Sequence, residues 1–455
     1  MTVQSFSHPS THLLVFALVA LPLLINPVVT LSFDDIYLQP KLWWVYGVVL
    51  PAAVTVIFGH GRLRHSTASW LLLALASWLI FSALVIHRDH FMWLGTADRA
   101  DGVLMHLVYI VVAISGITWT KACGTIPVTL SFSRALAAGA SLLALTNILQ
   151  QWGFLGVPGE GAVQGVSATL FGGTLGNRGY MAGALALVLP LILWALSRCS
   201  PGQQKWLSAA VVLITWAWLG CWTRGAWLAG GISLVWLLVW DSLSRQKLVL
   251  RPLIVGMTLF AFTAALGPTE GRNLSISGEG DTQALGDSSG RSLLWISAIG
   301  GISQKPLTGW GPPALWRFMA TQPSQVLMAS NGLVNVQVIK RLQQTPEQPP
   351  GFLIRHTDGR KELLYLSINK VHNEYLDYAL TFGVPASVLF LTVLIMGILQ
   401  AKSDVTGISA GLLAYACYLF TWPEIIRFAP LAWLCMGIAL ASGTRAKWVK
   451  IRAQG

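Results

Sequence analysis

The 455-residue chain is 54% hydrophobic and only 11% charged, with a mean hydropathy of +0.61. Soluble domains carry about 25% charged residues, so the composition excludes an ordinary soluble enzyme and points to a polytopic membrane protein. The net charge of +12 does not indicate nucleic acid, because no basic tract interleaved with aromatics is present. The five cysteines, Cys123, Cys199, Cys221, Cys417 and Cys435, are scattered and odd in number. They offer neither a disulfide framework nor a metal motif and read as small buried apolar residues.

Apolar segments long enough to span a membrane recur about twelve times, at 12–32, 42–59, 67–87, 102–120, 131–151, 179–197, 205–221, 226–240, 250–267, 376–399, 405–422 and 428–443. The first has no Lys or Arg n-region, contains Pro22 and Pro27, and runs into further spans. It reads as a transmembrane helix and not a cleaved signal.

Orientation follows from Lys and Arg placement. With the N-terminus inside, the inner connections carry Arg62, Arg64, Lys121, Arg134, Arg198, Lys205, Arg245, Lys247, Arg251 and Lys402, and the tail adds Arg445, Lys447, Lys450 and Arg452. The short outer loops carry only Lys41, Arg88, Arg99, Arg178, Arg224 and Arg427, and among the acids only Asp241 and Asp404 fall inside. Both termini are therefore expected on the cytoplasmic side. The chain divides into nine spans over 1–267, a large outer loop over 268–371, and three spans with a basic tail over 372–455.

The loop is the one long polar interruption. Residues 268–290 are rich in Gly, Ser and Asp and are expected to be flexible. RSLLWISAIGGIS (291–303) has helical spacing of Leu294, Trp295, Ala298 and Ile302. KPLTGWGPP turns, and a second short helix is expected at 314–320. NVQVI, GFLIRHT and KELLYLSI look like strands, with Asp358–Gly359 as a hairpin turn, which predicts a small β-hairpin insertion at about 332–369.

Four places carry candidate chemistry. Arg224 in CWTRGAWLAGG sits between two spans with almost no polar linker, where an ionisable residue is costly and so a functional candidate. The plainer reading is a snorkelling arginine that ends a helix. Arg178 in FGGTLGNRGYMAG enters the sixth span behind a glycine-rich turn, where helix N–H groups face an anion. It has no GKS or GKT ending and is not a P-loop. Arg291 in SSGRSLLW opens a loop helix. His372, followed by Asn373, closes the loop, and a histidine titrating near neutrality can take a proton from a hydroxyl.

Together these residues suit departure of a diphosphate. Guanidinium forks match phosphate oxygens and cannot deprotonate. Held in a low-dielectric niche, they stabilise developing negative charge in the role of a divalent cation. No DxD motif or metal-spaced cluster is present, so no metal and no cofactor are expected. Glu374 and Asp377 are read as lying on different faces of one helix, against a paired-carboxylate hydrolase. Glu424 and Arg427 in TWPEIIR are expected to pair with each other. Asp34 and Asp35 read as solvated loop acids. Trp295, Trp310 and Trp316 read mainly as packing residues that are able to stack on sugars.

TLGNRGYMAGALAL, CWTRGAWLAGG, GRSLLW followed by KPLTGWG, and VHNEYLDYALTFGVPA stand in the order seen in the O-antigen ligase and polymerase superfamily, over roughly 170–400. The chain resembles that family. The resemblance implies an all-α, GT-C-like membrane glycosyltransferase, metal-independent and inverting, in the bacterial inner membrane with its large loop in the periplasm. It implies a donor glycan on undecaprenyl pyrophosphate and a glycan, lipid A–core or protein acceptor. Arg224 and Arg291 correspond to the family's pyrophosphate arginines and His372 to its acceptor-activating histidine. Arg178 joins them as a donor candidate, although the family more often has a GNPN-like turn there. Asn373, Glu374, Tyr375 and Trp310 are candidates for orienting the acceptor. Ligase, polysaccharide polymerase and protein O-oligosaccharyltransferase share this donor chemistry. Relatives labelled bicarbonate transporters keep a transport reading in view, but that reading calls for mid-membrane charges and repeated broken spans, which the sequence does not have.

Overall fold

The computed structural model describes residues 9–28, 33–60, 66–155, 171–241, 246–266, 291–324, 327–328, 335–342, 348–366 and 369–442. The glycine-rich 268–290 stretch, the basic tail and the 61–65 connection that carries Arg62 and Arg64 lie outside these residues. The fold is predominantly helical. Among the described residues, seven helices are long and apolar enough to cross a membrane: Asp34–Gly59, Thr67–Ile86, Val103–Cys123, Thr125–Gln151, Arg178–Leu196, Val249–Leu266 and Val384–Ala401. Four shorter apolar helices, Pro9–Leu23, Arg224–Trp240, Thr406–Leu419 and Ala429–Ser442, accompany them. The less apolar Pro201–Gly220 helix packs on Thr125–Gln151 and Gln246–Leu266. A helix therefore stands at each of the twelve apolar segments, and among the described residues seven meet the length and hydropathy of a spanning helix.

Arg178–Leu196 is the axis of the bundle. It is apolar on every face, and its spanning window is completely buried, as a helix surrounded by other helices must be. Ala429–Ser442 lies closest to Val103–Cys123. A Cβ on Gly437 would stand 2.0 Å from the Ala113 carbonyl oxygen, so only glycine allows this backbone approach.

The tenth apolar segment is broken. Glu374–Phe382 ends at Gly383, whose φ of 88° starts a second helix, Val384–Ala401. The break is fixed by the Lys305–Pro313 turn, where Trp310 and Gly311 donate to the carbonyls of Leu380 and Thr381 and Val384 donates to that of Pro306.

The segment between residues 291 and 380 has its own core. The helices Arg291–Gln304 and Ala314–Thr321 form where the apolar spacing predicts them. The three expected strands form one antiparallel meander, β1 (Val336–Arg341), β2 (Gly351–His356) and β3 (Lys361–Tyr365), in the order β1-β2-β3, with β2 and β3 as the hairpin across Asp358–Gly359 and β1 added to it. Phe352 and Ile354 face inward and join Leu294, Ala298, Leu315, Phe318, Val371 and Leu380. Arg341 binds the sheet to the Ala314–Thr321 helix, donating to the carbonyls of Met319, Ala320 and Gln322 at its C-terminal end. Val371 and Leu380, on either side of the predicted catalytic histidine, thus belong to this second core.

Candidate active site

The site forms around the turn that follows the Thr406–Leu419 helix. Trp422 in this turn meets Arg291 and His372 together. The Arg291 guanidinium carbon lies 5.5 Å from its ring centroid, and the His372 imidazole meets the indole edge-to-face at 5.7 Å. Tyr418 stacks parallel to the same indole at 6.4 Å, and Tyr180 meets it at 5.8 Å.

Two glycines bring the other arginine-bearing helices to this turn. A Cβ on Gly179, next to Arg178, would stand 2.3 Å from Trp422 Cζ2, and one on Gly225, next to Arg224, 2.6 Å from Thr421 Oγ1. Their absent side chains let both helix N-termini press against residues 421–422. Asn177 caps the first of these helices, accepting from the Gly179 N–H at 2.8 Å. The structure thus places Arg291 and His372 against one ring, with the backbones at Arg178 and Arg224 abutting the same turn. The Arg224 side chain is exposed.

Backbone strain concentrates here. The four non-glycine residues with positive φ among those described are Ala100 (54°), Phe171 (60°), Trp222 (52°) and His372 (54°). Ala100 follows Arg99, Phe171 and Trp222 precede Arg178 and Arg224, and His372 is itself a candidate. A bulky residue such as Trp222 in this region is a true outlier, and strain of this kind gathers at functional sites.

Polar atoms at the site are buried without hydrogen-bond partners: Arg178 Nη1, His372 Nδ1, Trp422 Nε1 and the Tyr418 hydroxyl. Such atoms are costly to leave unsatisfied, and three of them belong to the His372, Trp422 and Tyr418 rings that pack on one another. Burial first, then Arg291, Arg99 and Lys370, push the His372 imidazole down to about 3, so it is neutral at physiological pH. Burial likewise draws the Arg291 guanidinium below its ordinary value.

The remaining candidates have structural partners. Asn373 caps the Glu374–Phe382 helix, accepting from the Leu376 N–H at 3.2 Å. The Tyr375 hydroxyl donates to the Ala416 carbonyl at 2.8 Å. Trp310 donates to the Gly301 carbonyl at 2.9 Å and carries Lys305 over its ring. Trp295 packs edge-on against Phe420.

Three expectations are corrected. Glu374 and Asp377 do not face apart: both line one small polar cavity together with Asp101, His106, Lys370 and Glu424. A separation of three residues places them on one helix face. Glu424 and Arg427 turn to different partners. Glu424 accepts from Tyr415 and Trp433, and Arg427 reaches the Leu175 carbonyl. Lys41 is not in an outer loop but fully buried in the Gln39–Trp44 helix, bonded to the carbonyls of Leu24 and Thr174.

Sequence reasoning missed Trp422, Arg99 and Lys370. Arg99 donates to the Tyr180 hydroxyl at 2.5 Å and adds to the field on His372. Its one local signal is the acid–base–acid run Asp98–Arg99–Ala100–Asp101 directly before a span. Trp422 is one of 21 tryptophans and has no local signal.

Residues 209–391 match the model of the O-antigen ligase family. No curated protein matches the chain. The matched stretch contains Arg224, Arg291 and His372, whereas Arg178 and Trp422 lie outside it. Over residues 209–391 the chain is therefore similar to the O-antigen ligase family, which supports a membrane glycan-processing enzyme of the ligase and polymerase kind.

Proposed function

We propose that the protein is a glycosyltransferase that moves a glycan from undecaprenyl pyrophosphate to an acceptor hydroxyl at the periplasmic face of the inner membrane, as an O-antigen-type ligase. The observation that carries this reading is the shared indole. Arg291 and His372 lie against Trp422, so a cation suited to phosphate and a neutral base are neighbours among unsatisfied polar atoms.

In this reading the acceptor oxygen attacks the anomeric carbon as the bond from that carbon to the phosphate oxygen breaks. The electron pair leaves with the pyrophosphate, and the acceptor proton passes to the His372 imidazole. Attack opposite the leaving group inverts the anomeric centre. Arg291, Arg224 and Arg178 hold the diphosphate and stabilise the charge that develops on it. Positive neighbours contribute to the depressed basicity of His372 in the empty site. The negative donor offsets them and strengthens the base as the donor arrives. A polymerase or a protein O-oligosaccharyltransferase would use the same residues with a different acceptor.

The test is glycan transfer by protein reconstituted in liposomes, with a lipid-pyrophosphate glycan, a panel of acceptors and a chelator. The wild type is expected to transfer, and His372→Ala and Arg291→Ala to lose at least about 10²-fold. Wild-type rates in both variants would refute the assignment.

A further inference from the structure

The segment leading to His372 is held by a buried charge cluster that the proposed chemistry does not use. The Lys370 ammonium lies 2.5 Å from Asp101 Oδ2 and 2.5 Å from Asp377 Oδ2. Its side chain is only 10% exposed, and those of its two partners 15% and 6%. Burial opposes the charge on Lys370, but Asp101 and Asp377 outweigh it and hold the lysine above its ordinary value. Burial also pushes Asp101 upward, and Lys370 overrides that to hold it below the usual carboxylate range.

The cluster joins two pieces of chain far apart in sequence. Asn369 donates to Asp98 Oδ2 at 2.9 Å, so adjacent residues 369 and 370 both grip the 98–101 segment. The Val371 N–H points to Asp377 Oδ1 at 3.4 Å, and Asn373 caps the helix that carries Asp377. Every residue from 369 to 373 except His372 is therefore tied by a polar contact or a cap. His372 has a left-handed backbone with φ of 54° and a buried Nδ1 without a partner.

In hydrolytic triads the basic histidine is oriented by a carboxylate bonded to its ring. His372 Nδ1 has no such bond, so its orientation comes from the backbone together with the edge-to-face contact with Trp422. Resting on the glycosyltransferase reading of His372, we infer that Lys370, with Asn369 beside it, is a positioning residue: its ion pairs to Asp101 and Asp377 fix the strained backbone that aims the imidazole at the acceptor. The same grip sets the position of Arg99, which lies between Asp98 and Asp101 and bonds Tyr180 at the edge of Trp422.

The experiment separates positioning from simple support of the fold. A buried ion pair can often be replaced by neutral residues without loss of stability, whereas removal of one partner alone is destabilising. Three full-length variants are compared in liposomes: Lys370→Met, the neutral triple Lys370→Met/Asp101→Asn/Asp377→Asn, and Asn369→Ala. Thermal unfolding, kcat and donor KM are measured for each, with deuterium exchange at the His372 imidazole C2 followed by mass spectrometry. Lys370→Met is expected to lose both stability and kcat. The triple is expected to regain thermal stability while kcat stays about 10²-fold low, the loss that a misplacement of about 1 Å brings, with donor KM within about twofold of wild type. Asn369→Ala is expected to unfold as wild type does and still to lower kcat, and imidazole exchange is expected to change in all three. Recovery of kcat together with stability in the triple, or wild-type kcat in Asn369→Ala, would overturn the inference. If the wild type transfers no glycan, the functional reading fails, and unaltered imidazole exchange in the variants would then sink the clamp on its own.

Discussion

Arg291 and His372, 81 residues apart in sequence, lie against the same indole, that of Trp422. The pairing brings together the start of the Arg291–Gln304 helix and the residue before the Glu374–Phe382 helix cap, and it uses a side chain from a third element. Cation–π contact with a desolvated arginine contributes about 0.5–2 kcal/mol, enough to favour one orientation of a guanidinium that would otherwise sample several.

Trp422 should therefore matter to catalysis without touching the reacting atoms. Trp422→Ala is expected to lower kcat/KM for transfer by about 10- to 100-fold, through lost positioning of both groups. Trp422→Phe keeps a ring and should lose less than about tenfold. Equal activity in the alanine variant and the wild type would show that the shared contact is incidental.

The glycines beneath the site give a sharper steric test. Gly179→Ala places a Cβ into Trp422, at 2.3 Å from Cζ2, and should reduce transfer by at least about tenfold as the indole moves. Gly231→Ala, in the Arg224–Trp240 helix, meets nothing within 4 Å. It should leave transfer unchanged and add about 0.5–1 kcal/mol of helix stability, measurable as a rise in Tm.

Lysine is a poor replacement for these arginines. Arg291→Lys and Arg224→Lys keep the charge but lose the two-pronged donor geometry. Each is expected to lower kcat/KM for the donor by about 10- to 100-fold, given the value of charge-assisted bidentate bonds. Activity close to wild type in both lysine variants would mean that charge alone suffices.

Acid should reveal the burial of His372. Its pKa falls from 6.5 in the unfolded chain to about 3 in the folded one. Between those values the unfolded chain binds more protons, so this residue favours unfolding as the pH falls below about 6.5 and has no effect above it. Thermal unfolding from pH 7.5 to 4.5 should therefore show a steeper loss of Tm in the wild type than in His372→Gln. Parallel curves would place the imidazole in water.

The helices were legible because runs of apolar residues are local features, and each of the twelve segments lies on a helix. The motif residues Arg224, Arg291 and His372 were legible for the same reason, each standing in a short distinctive string. Gly383 was read through because nothing local says that its Cβ would strike the Leu307 carbonyl oxygen at 2.0 Å, a constraint imposed from 76 residues away. Trp422 and Lys370 were missed because their roles exist only in tertiary contact. The mistaken pairing of Glu424 with Arg427 came from treating neighbours in sequence as neighbours in space, whereas a turn sends their side chains to different helices. All three strands were legible as strings and the Asp358–Gly359 turn marked the hairpin of the last two, whereas the β1–β2 pairing crosses a longer connection with no local turn signal.

The most direct measurement pairs donor binding with single-turnover transfer in the same reconstituted preparations, using a lipid-pyrophosphate glycan. The account predicts that His372→Ala binds the donor as tightly as wild type and fails to transfer it, while Arg291→Ala binds at least about tenfold more weakly, the loss of one charge-assisted phosphate contact. Undiminished donor binding by Arg291→Ala, together with transfer by His372→Ala at the wild-type rate, would contradict it.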